Sequence, residues 1–294
     1  MEKPRLRRSA RKDSLRIEKL VCDYYFSLVP KVLDIEGEEM ICKKVVDKDG
    51  NIIAGCTGYI YPWGMMYIDD MWVDEKYRRQ ELGSNALQAV EKVAKEKGCY
   101  LITLGTFDFQ ARPYYLKHGY TVFATHKDCP KGHEDYELFK RLDVEHTKRV
   151  CKTIEYEILD GTDDDSDYIC DQLDYGFNAK HLEVADHGYI KINRKLINKD
   201  GKVVAAIMAG VNELDVGWIW KMWVDEEYRH QGLGTRLLKH FEKVAKQKGA
   251  TVITAPEIFD WNVDFFVKAG YKVFGELQDY PKGHTYYLIE KILN

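Results

Sequence analysis

Apolar positions recur at helical spacing through Gly234–Lys248, where Leu237, Leu238, Phe241, Val244 and Ala245 form one stripe. Gly249 stands directly after it, where a helix C-cap glycine belongs. Strand-like runs cover Thr153–Asp160, Lys191–Leu196, Val203–Ala209, Trp218–Val224, Thr251–Thr254, Tyr271–Leu277 and Thr285–Ile292. Ser166–Lys180 reads as a helix after an acidic, cap-rich run, and Asn262–Ala269 as another stopped by Gly270. The turns Lys199-Asp200-Gly201 and Pro281-Lys282-Gly283-His284 separate strand patterns and mark hairpins. The order predicts an α/β, or α+β layered, domain: a mixed sheet with helices on both faces.

The same pattern occurs twice. Residues 71–98 read MWVDEKYRRQELGSNALQAVEKVAKEKG and residues 222–249 read MWVDEEYRHQGLGTRLLKHFEKVAKQKG, an offset of 151. That offset also carries Lys48-Asp49-Gly50, Gly119-Tyr120, Pro130-Lys131-Gly132-His133 and Asp23-Tyr24 with Phe26 onto their counterparts. The period is far longer than a solenoid repeat, so a whole domain is duplicated with no net insertion. Two domains are expected, 1–148 and 152–294, joined near residues 148–153.

Composition changes this picture little. A chain of 294 residues suits two domains, and 45% hydrophobic residues suit a globular protein. Lys+Arg 44 against Asp+Glu 48 gives a net charge of −4, so no global positive field attracts nucleic acid. No apolar run reaches the ~18 residues of a membrane span, and no apolar core follows the basic residues 3–16 as a secretory signal requires. The 7 cysteines lack a CxxC pair, which points to reduced thiols and a cytoplasmic protein, with no metal cluster.

Candidate chemistry lies where a strand gives way to an Arg-rich loop and a helix. Helix-start amides lack intrahelical partners and glycine lets an anion approach, so this is a ready pyrophosphate site. A Walker loop is excluded because Gly234-Thr235-Arg236 stands where GK[ST] belongs, and a dinucleotide fingerprint because position 237 is Leu237. The R-x-x-G-x-G spacing of Arg229, Gly232 and Gly234, after Met222-Trp223-Val224-Asp225, resembles the acetyl-CoA signature of the GNAT N-acetyltransferases. The resemblance covers both copies and implies two tandem GNAT-like acyl-CoA-binding domains. It implies that the strand before the loop splays from its neighbour and pairs with the pantetheine arm, while loop amides hold the pyrophosphate. Those roles fall to Met222, Trp223 and Val224 with Arg229, His230, Gln231, Gly232, Leu233, Gly234 and Thr235. In the first copy they fall to Met71, Trp72 and Val73 with Arg78, Arg79, Gln80, Gly83 and Ser84.

The copies depart from the signature differently. Glu81 replaces the first glycine, where an inward carboxylate repels pyrophosphate and weaker donor binding is expected. A GNAT tyrosine that protonates the departing thiolate corresponds to Tyr115 in the first copy and to Phe266 in the second. Tyr115 as a packed aromatic is the alternative. Asp69 and Asp70 precede Met71, whereas Trp220 and Lys221 precede Met222. Successive strand residues face opposite sides, so one aspartate is expected in the cleft, to bind an ammonium or take its proton, and the alternative is a solvated strand surface. His133 and His284 read as turn residues, and Tyr59-Ile60-Tyr61-Pro62-Trp63 as packing or as an aromatic acceptor wall.

The expected function is acetyl-CoA-dependent transfer to a primary amine, small-molecule or protein, by direct attack in a ternary complex. The first copy is the expected catalyst and the second a CoA-binding partner, packed as an intramolecular pseudo-dimer. A catalytic second copy using another proton donor, and a non-catalytic acyl-CoA-binding scaffold, are the alternatives.

Overall fold

A computed structural model describes residues 3–145, 151–182 and 184–293. The expected junction near 148–153 lies partly outside them. In chain order the elements are β1 (Arg5–Arg8), α1 (Arg11–Leu28), β2 (Glu39–Val46), β3 (Ile52–Tyr61), β4 (Met65–Val73), α2 (Leu82–Glu96), β5 (Leu101–Phe107), α3 (Arg112–Lys117), β6 (Thr121–Lys127) and β7 (Glu134–Arg141). They continue as β8 (Glu157–Asp160), α4 (Asp163–Asp174), β9 (Ile190–Lys191), β10 (Arg194–Ile197), β11 (Val203–Val211), β12 (Val216–Val224), α5 (Leu233–Gln247), β13 (Val252–Phe259), α6 (Val263–Lys268), β14 (Lys272–Gln278) and β15 (Thr285–Ile292).

Two compact units form, and their bounds differ from the expected 1–148 and 152–294. The first holds Lys31–Lys127 and His133–Glu183; the second holds Met1–Pro30, Asp128–Gly132 and Val184–Asn294. Each copy has given its leading strand and helix to the other. β1 pairs with β10, and α1 buries Ile17 and Val21 against Val203 and Ala206. Reciprocally, β8 pairs with β2, and α4 buries Ile169 against Cys42 and Trp72. A Cβ on Gly55 would collide with Ile169, so glycine in β3 makes the socket for this helix. Both leading helices present an apolar stripe to a similar sheet, so periodicity cannot say which sheet each one covers.

Within the first unit the strand order is β8-β2-β3-β4-β5-β7-β6, all neighbours antiparallel except β4 and β5. Helix α2 covers it with Leu82, Ala86, Leu87, Val90 and Ala94. The second unit repeats the order as β1-β10-β11-β12-β13-β15-β14, with α5 burying Leu237, Leu238 and Phe241. Parallel pairing is brief in both: Met65–Ile68 with Leu101–Leu104, and Val216–Trp218 with Val252–Thr254. Beyond these residues the strands part, which opens a gap at the sheet's centre.

Local differences from the expected elements have simple causes. Helix α4 begins before Ser166 because Thr162 caps it, accepting from the Asp165 N–H while the Asp165 carboxylate accepts from Thr162 N–H. The helix ends at Asp174, and a separate 3-10 turn covers Asn178–Lys180. Strand β13 carries a bulge between Ala255 and Ile258 that β5 lacks. The Phe259 N–H therefore bonds the Asn262 side chain as the Phe107 N–H bonds Gln110, a local offset of 152. One residue fewer before α6 restores 151, so no net insertion remains.

Candidate acetyl-transfer cleft

Strand β4 ends at Val73 in a tightly tied loop. The Asp74 carboxylate accepts from Lys76 N–H at 2.9 Å, and Arg78 Nε donates to the Val73 carbonyl at 3.2 Å. The Arg78 guanidinium lies 5.3 Å from the Phe177 ring centroid. Gln80 turns away, its amide donating to the Lys76 carbonyl. Arg78 and Gln80 thus brace the loop through their side chains and leave anion contact to backbone amides.

Glu81 takes the left-handed conformation, φ 63° and ψ 7°, beside 75° and 8° for Gly232. The turn demands that geometry from whatever residue stands there. A side chain pays about 1 kcal/mol for it, whereas glycine does not. The amides of Leu82, Gly83 and Ser84 precede the first intrahelical bond, made by Asn85 N–H to the Glu81 carbonyl. Gly83 lets the helix start close on β4: a Cβ there would stand 2.9 Å from Met71 Cε and 3.2 Å from Val73 Cγ2.

Between the parted strands lies a cleft of about 670 Å³. Arg78, Arg79 and Lys117 line it together with the helix-start residues Leu82, Gly83 and Ser84. Asp69, Asp70, Asp135, Glu137 and Asp174 line it too. Both expected aspartates therefore reach the cleft, which corrects the expectation that only one does. The reason is a bulge: Cys56 pairs Met71 and Gly58 pairs Ile68, so Thr57 alone faces both Asp69 and Asp70.

Asp70 is buried, its N–H donating to Thr57 Oγ1 at 3.2 Å. Burial, then the Asp69 and Asp174 carboxylates, push its carboxyl up to about 7, against the opposing pull of hydrogen bonds with Cys170 and Thr57. Asp69, on the open side, is raised by partial burial and then by Asp174. Across the gap, the Tyr115 hydroxyl points at Met71 Sδ, 3.8 Å away. Burial, with Cys56 and Asp70 adding, holds its proton well above the ordinary tyrosine range. Asp174 and Phe177 enter this cleft from the exchanged segment, and Asn178 accepts from the Gln110 amide at 2.8 Å.

The second copy repeats the loop and not the acids. Arg229 Nε donates to the Val224 carbonyl at 3.3 Å, the Gln231 amide donates to the Glu227 carbonyl, and His230 is left-handed like Arg79. The start of α5 closes on β12, with an added Cβ on Gly234 at 3.3 Å from Phe265. Its bulge places Trp220 and Lys221 where the aspartates stand. Tyr286 and Leu288 occupy the strand positions of Asp135 and Glu137. Around them Tyr25, Phe259, Trp261 and Tyr286 form an aromatic cluster.

The model of the Acetyltransferase (GNAT) family matches residues 13–120 and 153–271. This chain belongs to the GNAT acetyltransferase family. Acetyl-CoA is the co-substrate of GNAT enzymes. The Blasticidin-S acetyltransferase of Streptomyces morookaense is 30% identical over 112 residues, covering 38% of this chain and 82% of that protein. An acetyltransferase structure from Bacillus cereus ATCC 14579 is 37% identical, with a TM-score of 0.43, covering 46% of this chain and 96% of the other. A putative streptothricin acetyltransferase from Bacillus anthracis str. Ames, solved in complex with acetyl coenzyme A, is 19% identical, with a TM-score of 0.33, covering 36% of this chain and 64% of the other.

In this GNAT protein Met71, Trp72 and Val73 line the cleft, and Tyr59, Ile60, Tyr61, Pro62 and Trp63 are not among its lining. His133 and His284 bind carboxylates of neighbouring turns, Asp108 at 3.0 Å and Asp260 at 3.1 Å. Asp135, Glu137 and Asp174 were not foreseen. The first two alternate along β7 and carried a period-two signal; Asp174 belongs to a helix whose destination the sequence does not reveal. Ser84 shares a buried hydrogen bond of 3.2 Å with His118, which ties the helix start to the end of α3 and likewise had no sequence signal. No helix among the described residues is long and apolar enough to cross a membrane, and no metal-ligating cluster is found among them.

Proposed function

We propose that the first copy transfers an acetyl group from acetyl-CoA to a primary amine by direct attack in a ternary complex, and that the second copy binds CoA without chemistry. The observation that carries this reading is the placement of Asp70 and Tyr115 around one gap, where the second copy has Lys221 and Phe266.

The residues present fit acetyl-CoA. The parted end of β4, Met71–Val73, offers backbone to a pantetheine arm, and the amides of Leu82, Gly83 and Ser84 offer donors to a pyrophosphate. Arg78 and Arg79 add positive charge nearby. Acetyl-CoA supplies a thioester carbonyl that an uncharged amine can attack. Asp70, partly ionised near neutrality, takes a proton from the acceptor ammonium. The freed nitrogen lone pair forms the new C–N bond as the C–S bond breaks. Tyr115 gives its hydroxyl proton to the departing sulfur and takes up the second proton that the new amide nitrogen sheds, and its burial keeps its own proton in place until the sulfur leaves.

The test uses full-length protein, acetyl-CoA and an amine panel, reading CoA thiol release and CoA binding in parallel. D70N and Y115F are each expected to lower kcat about 10²- to 10³-fold with CoA binding retained. Unchanged turnover in both variants overturns the assignment. Saturable CoA binding with no thiol release on any amine supports the scaffold alternative instead.

A further inference from the structure

The basic run near the start of the chain is not used by the proposed acetyl transfer, and the fold gives it a place. Within the second unit a cavity of about 880 Å³ opens where β1 stops at Arg8 and α1 begins at Arg11. Its other walls include the segment Tyr189–Arg194 and the end of α5 at Val244 and Lys248. The donor loop of the same unit lies at the opposite end of α5, whose 15 residues span about 22 Å. The cavity is therefore separate from the CoA site proposed for that copy.

Five cations line it, Arg8, Arg11, Lys191, Arg194 and Lys248, with no carboxylate among the described lining residues. Arg8 and Arg194 are direct cross-strand partners, a like-charge pairing that destabilises a sheet. Burial, then the Arg8 charge, hold the Arg194 guanidinium below its ordinary value. Asp13, in the first turn of α1, is already engaged: its carboxylate accepts from Lys195 Nζ at 2.6 Å and from the Ala10 N–H at 2.7 Å.

The first unit solves the same positions with opposite charges. Lys43, which the 151 offset pairs with Arg194, faces Asp160 across the strands and forms an ion pair with it. Lys97, the counterpart of Lys248, pairs with Glu39 at 2.8 Å. Helix α4 opens on Asp163, Asp164 and Asp165, which suit its dipole, whereas α1 opens on Arg11 and Lys12, which oppose it. The second unit alone has left this positive charge without a partner inside the fold.

Neutral groups point the same way. The Ser9 hydroxyl oxygen is buried on the cavity wall with no hydrogen-bond partner among the described residues. Ala10 at the helix N-cap has no side-chain acceptor to offer the first amides of α1. Beside them stands an aromatic wall. Gly210 makes room for Tyr189, whose hydroxyl a Cβ there would strike. That hydroxyl accepts from Trp220 Nε1 at 2.7 Å, and Trp220 stacks on Trp218 with ring centroids 5.3 Å apart. Trp220 remains 45% exposed, which leaves indole surface for another ring.

Cations, free donors and an aromatic surface in one cavity match a ligand that is both polyanionic and aromatic. The volume suits a molecule of nucleotide size. A long nucleic-acid strand would run on from the cavity over a chain of net charge −4. We propose that this cavity binds a nucleoside triphosphate, its phosphates on Arg8, Arg11, Lys191 and Arg194 beside Ser9 and its base against Trp220.

Full-length protein is titrated by calorimetry with ATP, sodium tripolyphosphate or adenosine, with CoA present throughout. ATP is expected to saturate a single site and to bind at least about tenfold tighter than either fragment. Arg8 and Arg11 are exposed and their removal relieves repulsion, so R8Q/R11Q does not endanger folding. That variant should weaken ATP about ten- to a hundredfold while CoA affinity is kept. W220L should weaken ATP about tenfold and leave tripolyphosphate unchanged. ATP binding that fails to saturate, that CoA abolishes, or that neither variant alters overturns the proposal. Tripolyphosphate binding as tightly as ATP, with W220L indifferent, shows a plain anion patch and overturns the nucleotide assignment. A 12-nucleotide oligoadenylate that binds tighter than ATP and is weakened by R8Q/R11Q makes a nucleic-acid strand the ligand and overturns it equally.

Discussion

Two loops of one sequence pattern close the same turn, one on Gly232 and the other on Glu81, and the chemistry beside them differs more than the loops do. The second copy has glycine at the left-handed helix start, where the first has a side chain, and lacks the carboxylates and tyrosine. The first has one more strained position, Glu81, with Asp70 and Tyr115 beside it. The loop geometry comes from backbone ties that both copies share, such as Arg78 to Val73 and Arg229 to Val224. A side chain at the left-handed position adds strain without changing that path. What a cleft can do depends on the strand residues flanking the gap, and these have diverged freely.

The sharpest way to break the contrast is to give the first copy the second copy's residues. The double variant D70K/Y115F should lose at least about 10³-fold in kcat, read as CoA thiol release. If turnover survives, the second copy is the catalyst. The pH profile is a finer probe. Asp70 must be ionised to accept a proton, so wild-type kcat/KM should rise with pH through a midpoint near 7, and D70N should remove that limb. The same shift has a stability sign. A raised carboxyl pKa means the folded state holds its proton longer than the unfolded chain, so the folding penalty from Asp70 begins near pH 4 and levels off above about 7. D70N should therefore raise Tm over wild type by an amount that grows across that window, and thermal melts at several pH values check it.

Next in size is the exchanged helix. Ile169→Ala removes the side chain seated over Gly55 and should destabilise the first unit by about 2–5 kcal/mol, measured by denaturant unfolding. If Asp174 and Phe177 are held in the cleft by that helix, acceptor KM should rise as well. Gly83→Ala forces a methyl toward Met71 and should cost about 1–3 kcal/mol, with weaker CoA binding. The smallest effect is expected from Glu81→Gly. Relief of the left-handed strain and loss of one carboxylate should stabilise the fold by about 1 kcal/mol and tighten CoA binding several-fold by calorimetry. Equal affinity in E81G and wild type would show that the carboxylate already faces away from the donor.

Much of the fold was legible because the evidence for it is local. The stripe Leu237, Leu238, Phe241, the glycine after the helix and the loop signature all report short-range geometry, and the duplication states each of them twice. Three things escaped. The bulge at Asp69 and Asp70 depends on pairing with Thr57, which sits on another strand. Asp135 and Glu137 look like solvated alternation until the strand order places β7 beside β5. The exchange of α1 and α4 leaves no local trace, because either helix stripe is apolar enough for either sheet. The 151 offset itself slips there: Arg78 lies over Phe177 and Arg229 over Tyr24, which the offset pairs with Tyr175.

The exchanged helix has a consequence for how this gene can change. Asp174, Phe177 and Asn178, which wall the cleft of the first copy, are encoded in the second repeat, so selection on that cleft acts on both repeats at once. A deletion that restores a single repeat takes away part of the cleft it was meant to keep, and a recombination between repeats pairs a cleft with the wrong helix. The two copies are thereby inherited as one unit even though the residues lining their clefts differ.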